Sequence, residues 1–269
     1  MVDVAGRPDH AGPVPTHQEL ILQQFTSNAN SFATAPPITN QRALDLLLTL
    51  SAATKDDIVL DVACGAGVVV CAFGPVVKHA RGIDLVPAMI ERAEALATEK
   101  GLTNVSFQVG DVLPLPFGDN SFSIVTSRYA FHHIKDPPRV LQEMARVCKQ
   151  GGRLVLADMA ASEQPGKAAA LNRMEKLRDP SHVRSLTGSE LQALFLQLGL
   201  TPSQPAFYRL PFDLDSVLKG SNPLPGDEIK VRQMFESCLK ADEMDLEVRQ
   251  EDDGLHFAYN IAVIVACKE

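Results

Sequence analysis

The chain has 269 residues, of which 45% are apolar and 22% charged. That is enough to bury the core of one elaborated domain, and it excludes collagenous, disordered and disulfide-scaffold classes. With 25 Lys and Arg against 33 Asp and Glu, the net charge of -8 leaves no broad phosphate-binding face, so nucleic acid is not an expected partner.

Five cysteines, Cys64, Cys71, Cys148, Cys238 and Cys267, show neither CxxC nor metal-ligand spacing and are expected to be reduced, mostly buried thiols; no metal is expected. The opening MVDVAGRPDHAGPVP lacks an apolar h-region, and no stretch reaches the roughly 20 apolar residues of a membrane span. A cytoplasmic location is expected, with monomer and homodimer both open.

Residues 1–16, with three prolines and two glycines, are expected to be a flexible terminus preceding a single domain over 17–269. From His17, Leu20, Ile21, Phe25 and Phe32 recur at near-helical spacing until Pro36-Pro37 stops them. A second helix is expected over about 39–53, with Leu44, Leu47 and Leu48 on one face.

Strands and helices then alternate. Strands are expected at 58–63, 81–84, 105–110, 122–127 and 153–158, with helices near 66–73, from Pro87 to Lys100 and through Val140, Leu141, Met144 and Val147. A helix near 164–178 follows, and another opens on Thr187-Gly-Ser-Glu190, which has capping-box spacing. Residues 211–250 are less regular, and HFAYNIAVIVAC at 256–267 resembles a buried last strand. Repeated βα units imply a doubly wound, mostly parallel α/β sheet with helices on both faces.

Ligands bind such sheets outside the carboxyl ends of the strands. Asp61-Val-Ala-Cys-Gly-Ala-Gly67 is a small-residue strand-to-helix turn in which Gly65 and Gly67 permit close backbone approach. Asp61 is expected chiefly to order that loop. A dinucleotide loop would have glycines where Ala63 and Val70 stand, which disfavours NAD. Asp84 ends the next strand, where a carboxylate can accept from both hydroxyls of a ribose. Gly110-Asp111-Val112 ends the third, where a carboxylate and a backbone N–H can meet adenine. The three ends describe an adenosine-shaped slot.

His132 and His133 follow the fourth strand in RYAFHHIKDPP, and either can serve as a general base near neutral pH. Cys64 inside the glycine turn is more simply a packed thiol than a nucleophile. Among the phenylalanines, Phe25 and Phe32 are the candidates for a lid over an acceptor pocket.

The segments VLDVACGAG, GIDLVPAMIERA and FQVGDVLPLPFGDNSFSIVTSRYAFHHIKDPPRVLQEMARVCKQGGRLVLAD resemble the class I S-adenosyl-L-methionine (SAM) methyltransferases of the ubiquinone/menaquinone C-methyltransferase type, over roughly residues 17–200. The resemblance implies a seven-stranded Rossmann-like sheet with a cofactor-binding core over 55–160. It further implies that Asp61, Ala63, Gly65 and Gly67 line the methionine part of SAM, that Asp84 and Leu85 meet the ribose, that Gly110, Asp111 and Val112 meet adenine, and that Met89 packs beside the nucleoside. Ser127 and Arg128 would border the methionine and the substrate mouth. Residues 17–53 would supply helices and a lid, and 205–250 a substrate cap. Two departures from the family pattern are Ala63, where many members have glycine, and Phe32, where relatives often carry tyrosine.

Methyl transfer from a sulfonium needs in-line alignment in a dry pocket, and a base only when the acceptor must lose a proton. The chain lacks the [DN]PP[FY]-like turn of nucleic-acid amino methylases, having Ser127-Arg-Tyr-Ala-Phe131 there. A small organic acceptor is therefore expected, with its methylated atom, O, C or N, open. The competing expectation is a protein of the same fold with a non-methylating role, such as a cyclase that uses SAM structurally. A nicotinamide-dependent oxidoreductase explains the first loop and Asp84 but not Gly110-Asp111.

Overall fold

The computed structural model describes residues 14–269, so the expected flexible terminus lies almost wholly outside the described residues. Its sheet contains strands β1 (Ile58–Val62), β2 (His79–Asp84), β3 (Val105–Val109), β4 (Phe122–Arg128), β5 (Cys148–Met159), β6 (Thr201–Pro202), β7 (Ala206–Asp213), β8 (Arg249–Glu251) and β9 (Gly254–Cys267). Seven of them run in the order β3-β2-β1-β4-β5-β9-β6, and β7 and β8 also pair with β9, giving nine strands among the described residues. The first five are mutually parallel, and β9 runs antiparallel to β5.

The crossovers are helices α4 (Val68–Phe73), α5 (Pro87–Glu99) and α6 (Pro137–Val147), with α3 (Gln41–Ser51) ahead of β1 and α7 (Pro165–Arg178) and α8 (Gly188–Gln197) after β5. Local chemistry sets their ends. Pro87 begins α5, where its missing N–H costs nothing, and Gly101 follows with φ +64°. The Asp136 carboxylate accepts from the Arg139 N–H to cap α6, and Thr187 and Glu190 form the expected capping box on α8.

Helix packing buries both sheet faces. Leu60, Val62 and Val125 pack under α6 and α8, while Val59, Ile124 and Val155 face α3 and α4. Fully buried β1 residues on both sides account for an apolar run without alternation.

The N-terminal segment differs from the single helix its spacing suggests: α1 (His17–Ser27) stops at Asn28 and α2 (Ala29–Thr34) begins again. The Asn28 side-chain amide donates to the Gln24 carbonyl, offering the backbone an alternative to the helical ladder. The stretch at 211–250 is more ordered than its composition suggests. The strand that runs into it, β7, pairs with β9 through eight registered positions, and α9 (Leu214–Lys219) and α10 (Asp227–Cys238) pack a third apolar cluster of Leu214, Phe235, Phe257 and Tyr259.

Gly67 closes the first strand-to-helix turn at φ +75°, and a Cβ there would lie 2.6 Å from the Ala93 Cβ and 2.8 Å from the Phe107 ring. Gly67→Ala adds left-handed strain to overpacking and is expected to lower unfolding free energy by about 2–4 kcal/mol. Chemical denaturation checks this; a loss under about 1 kcal/mol would contradict the packing argument.

Candidate active site

Strand order reverses between β1 and β4, and the crevice outside their carboxyl ends opens into a cavity of about 730 Å³. Its lining includes Asp61, Ala63, Gly65, Asp84, Leu85, Met89, Asp111 and Val112, and also Met159, Leu210, Phe212, Tyr259 and Ile261. Phe25 and Phe32, with ring centroids 5.0 Å apart, belong to the α1–α2 side of the same cavity.

The glycine turn is held open by its backbone. Ala63, Gly65 and Gly67 all have positive φ, at 57°, 51° and 75°. A Cβ on Gly65 would meet nothing within 4 Å, so its backbone faces free space in the cavity. Ala63 occupies a left-handed conformation that glycine takes more easily, which gives the departure from the family pattern a local strain.

Asp84, not Asp61, orders this loop. Its two carboxylate oxygens accept from the Gly65 N–H at 2.7 Å and the Val86 N–H at 2.9 Å, joining the first loop to the start of α5. Each oxygen keeps a second lone pair, so the carboxylate can still accept from a ligand hydroxyl. Burial pushes its pKa up, while those backbone donors oppose the rise.

Asp61 is 2% exposed and makes no side-chain hydrogen bond among the described residues, and its Oδ1 is buried without a partner. Burial raises its pKa to about 8; Arg128 opposes this and Asp84 adds to it. Arg128 is also buried, its Nη2 donating to the Ile38 carbonyl at 2.8 Å while Nη1 has no partner among the described residues. A buried acid and a buried base, each with an unmet hydrogen-bonding atom, thus line one cavity. That arrangement suits a zwitterion, because an orphaned buried polar atom costs about 1–3 kcal/mol.

The Asp61 shift has a thermodynamic consequence. The unfolded carboxyl ionises near pH 4, whereas the folded one holds its proton to about pH 8. The proton therefore favours the folded chain, and this contribution is lost as pH rises from about 4 through 8. Asp61→Asn is expected to gain melting temperature over the ligand-free parent progressively across that window. A difference independent of pH between 5 and 9 would overturn the assignment.

The two histidines that line the same cavity differ. The Nδ1 of His132 lies 2.6 Å from Asp158 Oδ1, and Asp158 Oδ2 accepts from the Ala130 and Phe131 amides at 3.0 and 2.5 Å. Burial alone would lower the His132 pKa, but the Asp158 charge and hydrogen bond hold it above the ordinary value. His133 has its Nδ1 3.1 Å from the Ser181 hydroxyl, and its pKa is held well down, first by burial and then by the neighbouring His132 charge. Its carbonyl accepts from His17 at the start of α1, and its ring meets Phe25 edge-on at 5.0 Å.

The methyltransferase domain family matches residues 53–206. The chain belongs to that family. YcgJ of Bacillus subtilis, an uncharacterized methyltransferase, is 39% identical over 246 residues, covering 91% of this chain and 97% of YcgJ. The crystal structure of YcgJ superposes with a TM-score of 0.78 at 35% identity, covering 86% of this chain and 99% of that one. A demethylmenaquinone methyltransferase of Listeria monocytogenes is 36% identical over 118 residues, 42% of this chain and 49% of its own length. The sheet is that of the class I SAM methyltransferases, and SAM is the cofactor. The residues present fit it: Asp61 Oδ1 and Arg128 Nη1 are buried atoms that a zwitterionic tail would satisfy, and Gly65 leaves room where a side chain would intrude.

Of the site residues expected from sequence, the methyltransferase brings Asp61, Ala63, Gly65, Asp84, Leu85, Met89, Asp111, Val112, Arg128, His132, His133, Phe25 and Phe32 to one cavity. Gly67, Gly110 and Ser127 are not on its wall. Gly67 packs on α5 and β3, a Cβ on Gly110 would meet Ile83 at 2.9 Å, and Ser127 is fully buried in β4 with an unpaired hydroxyl. Asp111 accepts from the Leu113 N–H at 3.1 Å, an Asx turn that stiffens the end of β3. Cys64 is buried with its pKa raised, chiefly by burial, and donates to the Gly65 carbonyl.

Sequence reasoning missed Asp158, Tyr129, Arg178 and Tyr259, and it set Phe212 aside as a core residue although it lines the cavity. Asp158 carried a legible signal, a lone carboxylate ending the apolar strand VLAD. Arg178 is tied to Glu175 at 2.7 Å and to Ser221 at 2.7 Å, partners brought by folding from 3 and 43 residues away.

Proposed function

We propose that this protein transfers the methyl group of SAM to a small, largely apolar organic acceptor that must lose a proton, with His132 as the base. Residues 17–34 would form the lid and 205–250 the cap. One observation carries the reading: the cavity that holds the cofactor residues also holds an imidazole whose Nδ1 is engaged by a buried carboxylate. With Nδ1–H donating to Asp158, Nε2 is left as the proton-accepting nitrogen.

SAM supplies an electrophilic methyl on a sulfonium sulfur. Asp61 and Arg128 would hold its amino-acid end, Asp84 its ribose and Asp111 with Val112 its adenine. The acceptor would lie against Met159, Leu210, Phe212 and Ile261, with Phe25 and Phe32 of the lid reaching it from beside Leu85 and Met89, and these apolar groups would exclude water and favour an apolar body. A phenol, an enol or an activated carbon acid would pass its proton to His132 as the new bond to methyl forms. The net charge of -8 favours such a molecule over nucleic acid.

The decisive experiment incubates the protein with SAM and a panel of hydrophobic phenols, quinols, enols and amines, following S-adenosylhomocysteine release and product mass. Phenolic or enolic acceptors should turn over. Turnover restricted to amines would remove the base from the reading, and a rearranged acceptor with no S-adenosylhomocysteine would establish the non-methylating alternative.

A further inference from the structure

We propose that Arg128 detects the amino-acid end of the cofactor and couples it to closure of the N-terminal helices through the Ile38 carbonyl. This rests on the cofactor site described above.

Arg128 is nine-tenths buried, lines the cavity, and spends one nitrogen on a partner outside the sheet. That partner is Ile38, in the turn joining α2 to α3. Its other terminal nitrogen, Nη1, is buried with nothing to donate to among the described residues. The guanidinium is further confined by Tyr129, whose ring centroid lies 4.6 Å from Cζ. Tyr129 itself is held at φ +57°, with its N–H on the Ala157 carbonyl at 2.8 Å and its hydroxyl 2.5 Å from that of Tyr208. A non-glycine residue is kept in this conformation only by strong surrounding constraints, so the placement of the Arg128 head is well defined.

A guanidinium is a planar fork, so seating Nη1 on a carboxylate also fixes where Nη2 points. Ile38 follows α2, and α2 packs Phe32 and Ala29 with Leu85 and Met89, the residues beside the nucleoside part of the cavity. The carboxylate and the helices therefore share one side chain. A ligand carrying that carboxylate favours the docked helices, and by linkage docked helices favour that ligand. An adenosyl compound without the amino-acid end occupies the nucleoside part but leaves Nη1 unpaired, so it lacks the differential affinity needed to shift the helices. Lysine keeps the charge and loses the fork.

The test uses S-adenosylhomocysteine and 5′-deoxy-5′-methylthioadenosine, each at saturation, with calorimetry and backbone hydrogen exchange over residues 29–39. In the parent protein S-adenosylhomocysteine should slow exchange there by about tenfold or more and methylthioadenosine should not. Arg128→Lys should weaken S-adenosylhomocysteine by about tenfold or more, leave methylthioadenosine within about twofold, and abolish the added protection. Equal protection by the two ligands in the parent protein overturns the coupling without recourse to any variant. Retained S-adenosylhomocysteine-specific protection in Arg128→Lys also overturns it. Failure of both ligands to bind the parent removes the cofactor site, and the coupling with it.

Discussion

Replacing His132 with alanine is expected to lower turnover of a proton-bearing acceptor by about a hundred- to ten-thousand-fold, the usual worth of a positioned general base. The dissociation constant for SAM should stay within about twofold, because His132 is held by Asp158 and is not among the residues assigned to the cofactor. The pH profile identifies the group. The base must be neutral, and Asp158 holds its pKa above the ordinary histidine value, so turnover should rise with pH through a midpoint above about 6.5. Asp158→Asn removes the opposing charge but leaves the burial, and the midpoint should move to lower pH. Both effects also appear in stability: the protonated His132–Asp158 pair favours folding at low pH, and that contribution is lost as pH rises through the raised pKa. An unaltered rate and profile in His132→Ala would retire the proposed base. His133→Ala is the control, since burial keeps that ring neutral and Ser181 and the Phe25 contact account for its position.

Asp84→Ala should weaken SAM binding by about a hundredfold, equivalent to about 2.7 kcal/mol. Hydrogen bonds to an ionised group contribute about 1.5–3 kcal/mol each, and this carboxylate secures two backbone amides besides offering lone pairs to the ribose. Removing it also frees the Gly65 and Val86 N–H groups in a buried place, so some melting temperature should be lost together with affinity. Asp84→Asn, which keeps one acceptor oxygen, should fall between. Calorimetric titration of the folded variants decides the matter: undiminished affinity in Asp84→Ala would exclude both the ribose contact and the support of the loop.

The strand-end carboxylates that line the cavity were legible without coordinates because each sits in a fixed relation to its own strand. Asp61, Asp84 and Asp111 follow or end apolar runs, and a parallel sheet places all such ends on one edge. Their division of labour was not legible. Asp84 holds the first loop only because the parallel register sets Asp61 beside Gly82 and brings the end of β2 to the Gly65 amide. Position along the chain says nothing of which of two nearby carboxylates finds that N–H.

The two histidines show the same limit more sharply. His132 and His133 are neighbours in sequence with identical chemistry, and their difference comes from Asp158 on β5 and Ser181 after α7, 26 and 48 residues away. Residues 211–250 carry weak periodicity because their apolar positions are shared between β7, short helices and the inner face of β9. By itself, then, the sequence determined the repeating βα order, the glycine turn, the carboxylates at the strand ends and the family, all of which depend on local spacing. The tertiary structure decided which carboxylate braces the loop, which histidine is held by a buried carboxylate and which apolar groups line the cavity, because each of these depends on partners that only folding brings within hydrogen-bonding or van der Waals reach.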